Sequence, residues 1–176
     1  LRLFPLSSLY AHPTVNPVYD FAEGLQDLEQ KTLRIIGDAA TRYREDPVRM
    51  LRAARFAAKL DFELDDNTFS PIAECASLLG DISSARLFDE SLKLLMSGSA
   101  LATYEQLCQL ELFAQLFPQT KRLLDNDFNQ NLISQAMRNT DARINNHQRV
   151  TPAFISVSYP HLTLPTNREA TITGGL

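Results

Sequence analysis

Asp46-Pro47 fixes the start of a helix whose two faces leave the surrounding chain little choice of architecture. An aspartate carboxylate accepts hydrogen bonds from the unpaired amides of a first helical turn, and proline at the first helical position gives up no bond it could have made. The helix is predicted to run to about Leu60. At about 100° per residue, with Arg49 at the origin, Arg52 and Arg55 fall near −60° and −120°. Met50, Leu51, Ala53, Ala54, Ala57, Ala58 and Leu60 spread over roughly +20° to +200°. One face is therefore a basic stripe, and the other is a core face whose alanines permit close packing. Phe56 lies among the arginines, so the stripe is not purely solvated.

A helix of this kind needs neighbours. Apolar residues make up 44% of the 176, enough for a sizeable core and too many for a mainly disordered chain. Downstream, a helix is expected over 66–79, capped by Asp65 or Asp66 and ended by Gly80. Another is expected over 84–97, starting at Ser83 or Ser84 and stopping before Gly98. Its apolar side would be Leu87, Phe88, Leu92, Leu94 and Leu95, with Asp89 and Lys93 as a favourable i,i+4 pair. Helices around 99–109, 112–117, 119–124 and 129–139 complete an array with short connections. Upstream, 9–12 and 17–21 read as short strands about a turn at Pro13–Asn16, 24–30 as a short helix, and the β-branched run Thr32–Ile36 as a strand ending at Gly37. The expected fold is mostly α, a helical array preceded by a small β portion, with the boundary near Gly37.

Net charge is −4 with a pI near 5.4, yet Arg42–Lys59 carries +4 and the remainder −8. An anionic partner should meet this one stretch. Cys75 and Cys108 stand far apart, and His12, His147 and His161 are scattered, so neither a disulfide scaffold nor a structural zinc site is supported. No apolar run approaches the ~20 residues of a membrane span, and the first residues lack a secretory cleavage pattern. A reduced, cytoplasmic setting is expected, with no membrane partner. No second helix joins the basic one through a short glycine turn, so DNA is not expected as a partner either. Because residue 1 is Leu rather than Met, the chain is expected to begin inside a longer protein. Residues 157–176 hold two prolines, show no helical period and resemble adapter-derived sequence; everything after about Ile155 is expected to pack poorly.

The segment RYREDPVRMLRAARFAAKL (42–60), followed by ISSARLFDESLKLL (82–95), resembles the neck of bacterial poly(A) polymerases and the related CCA-adding tRNA nucleotidyltransferases. GLQDLEQKTLRIIGD (24–38) is similar to that family's link from catalytic head to neck, and NTDARINNHQRVTPAF (139–154) to the body of a bacterial poly(A) polymerase. The resemblance, which covers about residues 9–154, implies that 1–37 is the end of a nucleotidyltransferase head, 38–98 a neck and 99–155 part of an RNA-binding body, and the break in pattern leaves 156–176 as a non-native or disordered tail. ISSARLFDESLKLLMSGSALATYEQL (82–107) favours the poly(A) polymerase branch by resemblance, with a CCA-adding enzyme as the alternative.

In that family a Glu-Asp-x-x-Arg element stands in for a template base. Here it falls on Glu45–Arg49, which places Asp46 and Arg49 against the nucleobase. The chemistry is consistent: a carboxylate only accepts and a guanidinium only donates, which complements the amino donor and ring-nitrogen acceptor on adenine's pairing edge. Cytosine offers the same order, whereas guanine and uracil reverse it. The pair should admit A and C and reject G and U. The resemblance also implies that Arg52 and Arg55 approach the triphosphate. The reaction it implies is attack of an RNA 3′-hydroxyl on the α-phosphate of ATP, with Mg²⁺ held by head carboxylates behind a Gly-rich turn. Neither feature occurs before residue 20, and the family's Arg-Asp-Phe-Thr-x-Asn element falls on Arg2–Ser7 with Leu3 in place of Asp. No catalytic or metal-binding residue is assigned within the chain, which is expected not to polymerise by itself.

Plainer readings exist for each residue. Asp46 before proline is an ordinary cap, and arginines at i, i+3 and i+6 are commonly a solvated face. Arg86, Glu90 and Lys93 read as a surface or interhelical ion network, and Tyr43 as a packing residue rather than a base-stacking one. A helical RNA-binding module with no nucleotide role would also account for the basic helix.

Overall fold

The structure is a computed structural model that describes residues 3–11, 18–118, 120 and 127–152. Tyr10–Ala11 (β1) and Val18–Tyr19 (β2) pair antiparallel, Tyr10 opposite Tyr19. Asp20 then organises Gly24–Glu29 (α1): its carboxylate accepts from the amides of Leu25 (2.8 Å), Gly24 (2.9 Å) and Ala22 (3.1 Å). Those donors, Leu25 and Gly24 foremost, hold the carboxyl below its usual range. The strand expected over 32–36 is confined to Thr32–Leu33 (β3). Beyond it the Ile35 amide donates to the Thr68 hydroxyl (2.9 Å) and the Ile36 amide to the Leu3 carbonyl (3.0 Å), so the donors are diverted from a ladder.

Ala39–Glu45 (α2) is opened by Asp38, whose carboxylate accepts from Thr41 N at 2.7 Å. Val48–Leu60 (α3) follows after a two-residue corner at Asp46-Pro47, and Asp46 Oδ1 accepts from Val48 N at 3.3 Å, the capping bond expected there. Met50, Leu51, Ala53, Ala54 and Ala57 are buried, but Ala58 is half-buried and Leu60 is 38% exposed, outside the core predicted for them. At Asp61 the backbone turns left-handed (φ 56°) and the Phe62 amide returns to Ala57 O (3.0 Å). That reversal lets Phe62 and Leu64 pack on the core in place of Leu60. Glu63–Leu64 (β4) lies parallel to β3, with Thr32 opposite Glu63.

The helix expected over 66–79 is three pieces: Asp66–Phe69 (α4), Pro71–Cys75 (α5) and a 3₁₀ turn, Ala76–Asp81. Asp65 caps the first, accepting from Thr68 N at 3.1 Å. Pro71 has no amide to continue the ladder, which divides α4 from α5, and Gly80 does not end the last piece. Ser84–Leu95 (α6) buries Leu94 and Leu95, while Leu87, Phe88 and Leu92 are half-buried. Glu90 and Ser91 are buried instead. Lys93 pairs with Glu90 (2.8 Å) rather than with Asp89, because a carboxylate whose side chain is only 6% exposed needs the cation more than an exposed one does.

Ala100–Gln109 (α7) packs along α3, the most extensive helix contact among the described residues. Leu112–Leu116 (α8) and Asp127–Asn145 (α9) complete the described array, α9 running beyond the 129–139 expected. Its extension has a partner: the Asp141 carboxylate accepts from Ala100 N (2.5 Å) and Leu101 N (3.0 Å), capping α7 from a distant part of the chain. Beside it, Gly98 takes a positive φ of 78° and its carbonyl accepts from Asn145 Nδ2 at 3.2 Å. One core joins Phe4, Leu33 and Ile35 to residues of the helices after Gly37, with fully buried Tyr43 donating its hydroxyl to Thr68 O at 2.8 Å. Among the described residues no helix is long and apolar enough to cross a membrane. The turn at 13–16, the helix expected over 119–124 (Thr120 apart) and the segment 156–176 lie outside the described residues.

Candidate functional site

The α2–α3 corner carries Asp46 and Arg49. Asp46 closes α2 through its N–H to Arg42 O (3.2 Å) and opens α3 through its carbonyl, which accepts from Arg49 N (3.0 Å). Both ends of that residue are thus fixed by helix bonds. Its side chain is 20% exposed, and a single guanidinium nitrogen of Arg86, from α6, lies 2.9 Å from Oδ1 and 3.0 Å from Oδ2. An ionised carboxylate offers about four acceptor directions. Val48 N and the shared Arg86 donor leave room for one more donor on Oδ2.

Arg49 is the more enclosed of the two, with its side chain 13% exposed. Its Nη1 donates to Glu45 Oε2 (2.6 Å) and to Arg42 O (3.0 Å). Nη2 and Nε take part in no hydrogen bond among the described residues, so donor capacity also remains. Glu45 accepts from Arg42 Nη1 as well (3.2 Å), and the Arg49 and Arg42 hydrogen bonds together hold its carboxyl below the usual range. The Asp46 and Arg49 side chains do not bond to each other. Each is steadied by its own third party.

Further along the stripe, Arg52 Nη2 stands 3.6 Å from Glu90 Oε1, the carboxylate that also takes Lys93. Arg55 makes no ion pair among the described residues, and its guanidinium carbon lies 5.0 Å from the Phe56 ring centroid. That ring meets Phe4 edge-on at 5.6 Å. Arg49, Arg52 and Arg55 therefore share one side of α3, and of the four residues singled out in the sequence only Asp46 and Arg49 stand at the corner. Of the network expected of Arg86, Glu90 and Lys93, Glu90 joins Lys93 of its own helix to Arg52 of α3, while Arg86 makes a separate pair. What sequence reasoning missed is that Arg86 grips Asp46 itself, 40 positions away with no local signal. Glu45 could have been found, since a glutamate four residues before an arginine is the favourable order on a helix.

Among the described residues no group of three His, Cys, Asp or Glu side chains could hold a metal ion. The described residues do not fit a Mg²⁺ site, and the transfer chemistry is not assigned to them. What the corner offers is a fixed acceptor beside a fixed donor, with cations continuing along α3.

Residues 61–124 match the family described as "Probable RNA and SrmB- binding site of polymerase A". The chain is 46% identical over 169 residues to Poly(A) polymerase I of Salmonella typhi, across 93% of this chain and 36% of that protein. It is 48% identical over 80 residues to the CCA-adding enzyme of Streptococcus sanguinis, across 46% of this chain and 20% of that one. Among solved structures it resembles the CCA-adding enzyme of Bacillus stearothermophilus in complex with CTP, with 29% identity and a TM-score of 0.60, over 80% of this chain and 33% of that one. The chain spans about a third of the length of the poly(A) polymerases it matches. By its sequence over Arg42–Leu60, its α-helical fold and the breadth of these matches, the chain belongs to the bacterial poly(A) polymerase and CCA-adding tRNA nucleotidyltransferase family.

Proposed function

We propose that this chain selects the base of an incoming ATP and guides an RNA 3′ end for template-independent adenylyl transfer, as part of a polynucleotide adenylyltransferase. The observation that carries the reading is the corner itself: Asp46 and Arg49, one helical turn apart, keep unused acceptor and donor capacity and are tied to Arg86 and Glu45 rather than to each other. Adenine's amino group would donate to Asp46 and its ring nitrogen would accept from Arg49. Guanine would set donor against donor and acceptor against acceptor, leaving partly enclosed charges unpaired, which is the costly outcome. Arg52 and Arg55 continue the line of positive charge toward the triphosphate.

In this reading residues 1–37 end a nucleotidyltransferase head, 38–98 form the neck and 99–155 the RNA-contacting body. Mg²⁺ would be bound outside this chain's described residues, and the working location would be the cytoplasm. The match over 93% of the chain to a poly(A) polymerase, against 46% to a CCA-adding enzyme, favours the first branch. Transfer to tRNA is the second reading, favoured by the high identity of the shorter match.

The test is equilibrium binding of the four nucleoside triphosphates to the chain and to its Asp46→Ala and Arg49→Ala variants. ATP and CTP should bind at least about tenfold more tightly than GTP and UTP, the size of one good polar discrimination. Both variants should flatten that preference. An equal preference in all three proteins would remove the base-selection role and leave a basic helix that binds RNA phosphates. CTP incorporation by a complete enzyme carrying this neck would decide for the tRNA branch.

A further inference from the structure

A second cleft opens on the same side of α3, farther from the corner, between the last turns of α3 and α6. It is an open groove of about 480 Å³. Phe56, Leu92 and Met96 form its apolar lining, Arg55, Lys59 and Lys93 stand around it, and no carboxylate lines it. Lys59 is exposed and makes no ion pair among the described residues, and it sits one helical turn beyond Arg55, which also makes none. Lys93 is held by Glu90 of its own helix (2.8 Å), which fixes the ammonium at the rim. The Arg55 guanidinium over the Phe56 ring presents cation and aromatic as one unit.

Cations around an apolar lining with an aromatic ring suit one chemistry: a planar base with phosphates on either side. A lone phosphate would make no use of the apolar surface that half-buried Phe56, Leu92 and Met96 still present to the cleft. A purely apolar ligand would leave Arg55 and Lys59 without a role. We propose that this cleft binds one base and its flanking phosphates of the single-stranded RNA leading to the 3′ end, with Lys59 and Lys93 as phosphate contacts and Phe56 with Met96 as the base platform. The inference rests on the reading of the chain as a protein that handles RNA 3′ ends. It adds a site separate from Asp46 and Arg49 and turned toward the strand rather than the incoming nucleotide.

Lys59 touches no carboxylate, so Lys59→Glu should fold as the parent does. Binding of a fluorescent oligo(A) to the full chain, followed by anisotropy across a salt series, should weaken about tenfold in Lys59→Glu. In Lys59→Ala the salt slope should fall by about 0.7, the share of one phosphate contact on a single strand. ATP affinity should be the same in the parent and both variants. A 4-thiouridine-bearing oligonucleotide should photocrosslink within 55–59 or 92–97. Oligo(A) binding that is undetectable at low salt, or equal in Lys59→Glu and the parent, overturns the proposal. So does an effect on ATP alone, which would make the cleft a free-nucleotide site, or competition by poly-glutamate as strong as by oligo(A), which would mean charge without a base. If the ATP preference still depends on Asp46 while Lys59→Glu has no effect, the strand site falls and the base-selection reading stands.

Discussion

The Asp46–Arg86 contact can be weighed by a double-mutant cycle in which the two residues are changed to alanine singly and together. Asp46→Ala removes two things: a capping bond to Val48 N that is long at 3.3 Å, and the grip of Arg86 on both carboxylate oxygens. The cap belongs at the low end of its range, about 0.5 kcal/mol. The ion pair lies between a solvated pair and a buried one, with side chains 20% and 45% exposed, so its coupling should be about 1 kcal/mol, the top of the exposed range. Arg86→Ala should then cost about 1 kcal/mol and Asp46→Ala about 1.5 kcal/mol. With a urea dependence near 2 kcal/mol per molar, these losses lower the unfolding midpoint by about 0.5 M and about 0.7 M. Far-UV circular dichroism at neutral pH reads both. Raising salt to about 1 M shortens the screening length to about 3 Å and should roughly halve the coupling while sparing the cap. A coupling energy indistinguishable from zero would refute the reasoning and make Asp46 a free carboxylate at the corner, whereas an Arg86→Ala variant that loses as much as Asp46→Ala would strip the cap of its share.

Two further outcomes follow from groups away from the corner. Tyr43→Phe leaves the buried Thr68 carbonyl without its donor and should cost about 1–2 kcal/mol, seen as a lower urea midpoint with an unchanged far-UV spectrum. Asp20, Asp38 and Glu45 are each held below their ordinary carboxyl values, Asp20 and Asp38 by local amide and hydroxyl donors and Glu45 by Arg49 and Arg42. Their contribution to stability is therefore complete above the unfolded-state values and lost as pH falls through the lower folded ones. The urea midpoint should decline from about pH 5 downward, and Asp38→Asn should decline less steeply than the parent. A midpoint that is flat through this acid window would contradict the assignment.

The α3 helix was legible because its signals are local: a capping aspartate, a proline that costs no bond, and alanines on one face. The break at Pro71 was equally local, but apolar periodicity carries across a proline and hid it. Strand β3 was overextended because β-branched side chains report a preference for extended backbone, while the donors of Ile35 and Ile36 are claimed by Thr68 and Leu3. No local pattern announces a parallel partner such as Glu63–Leu64. At the corner, the one-turn spacing of Asp46 and Arg49 could be read directly, and the role attached to it came by resemblance. Their holders divide by distance: Glu45 is a helical neighbour of Arg49, whereas Arg86 arrives on another helix. The Lys93 pairing went to Glu90 because burial, which spacing rules do not see, decides which carboxylate most needs a cation.

The cap that Asp141 places on the first turn of α7 also says something about the order of events during synthesis. A nascent chain made only as far as Gln109 already contains every residue of α7, the helix against which α3 is buried, yet the amides of Ala100 and Leu101 still lack their acceptor. That acceptor is translated dozens of codons later. Until α9 docks, the central helical pair lacks that cap, so the last described stretch of the helical array acts as the latch on its middle.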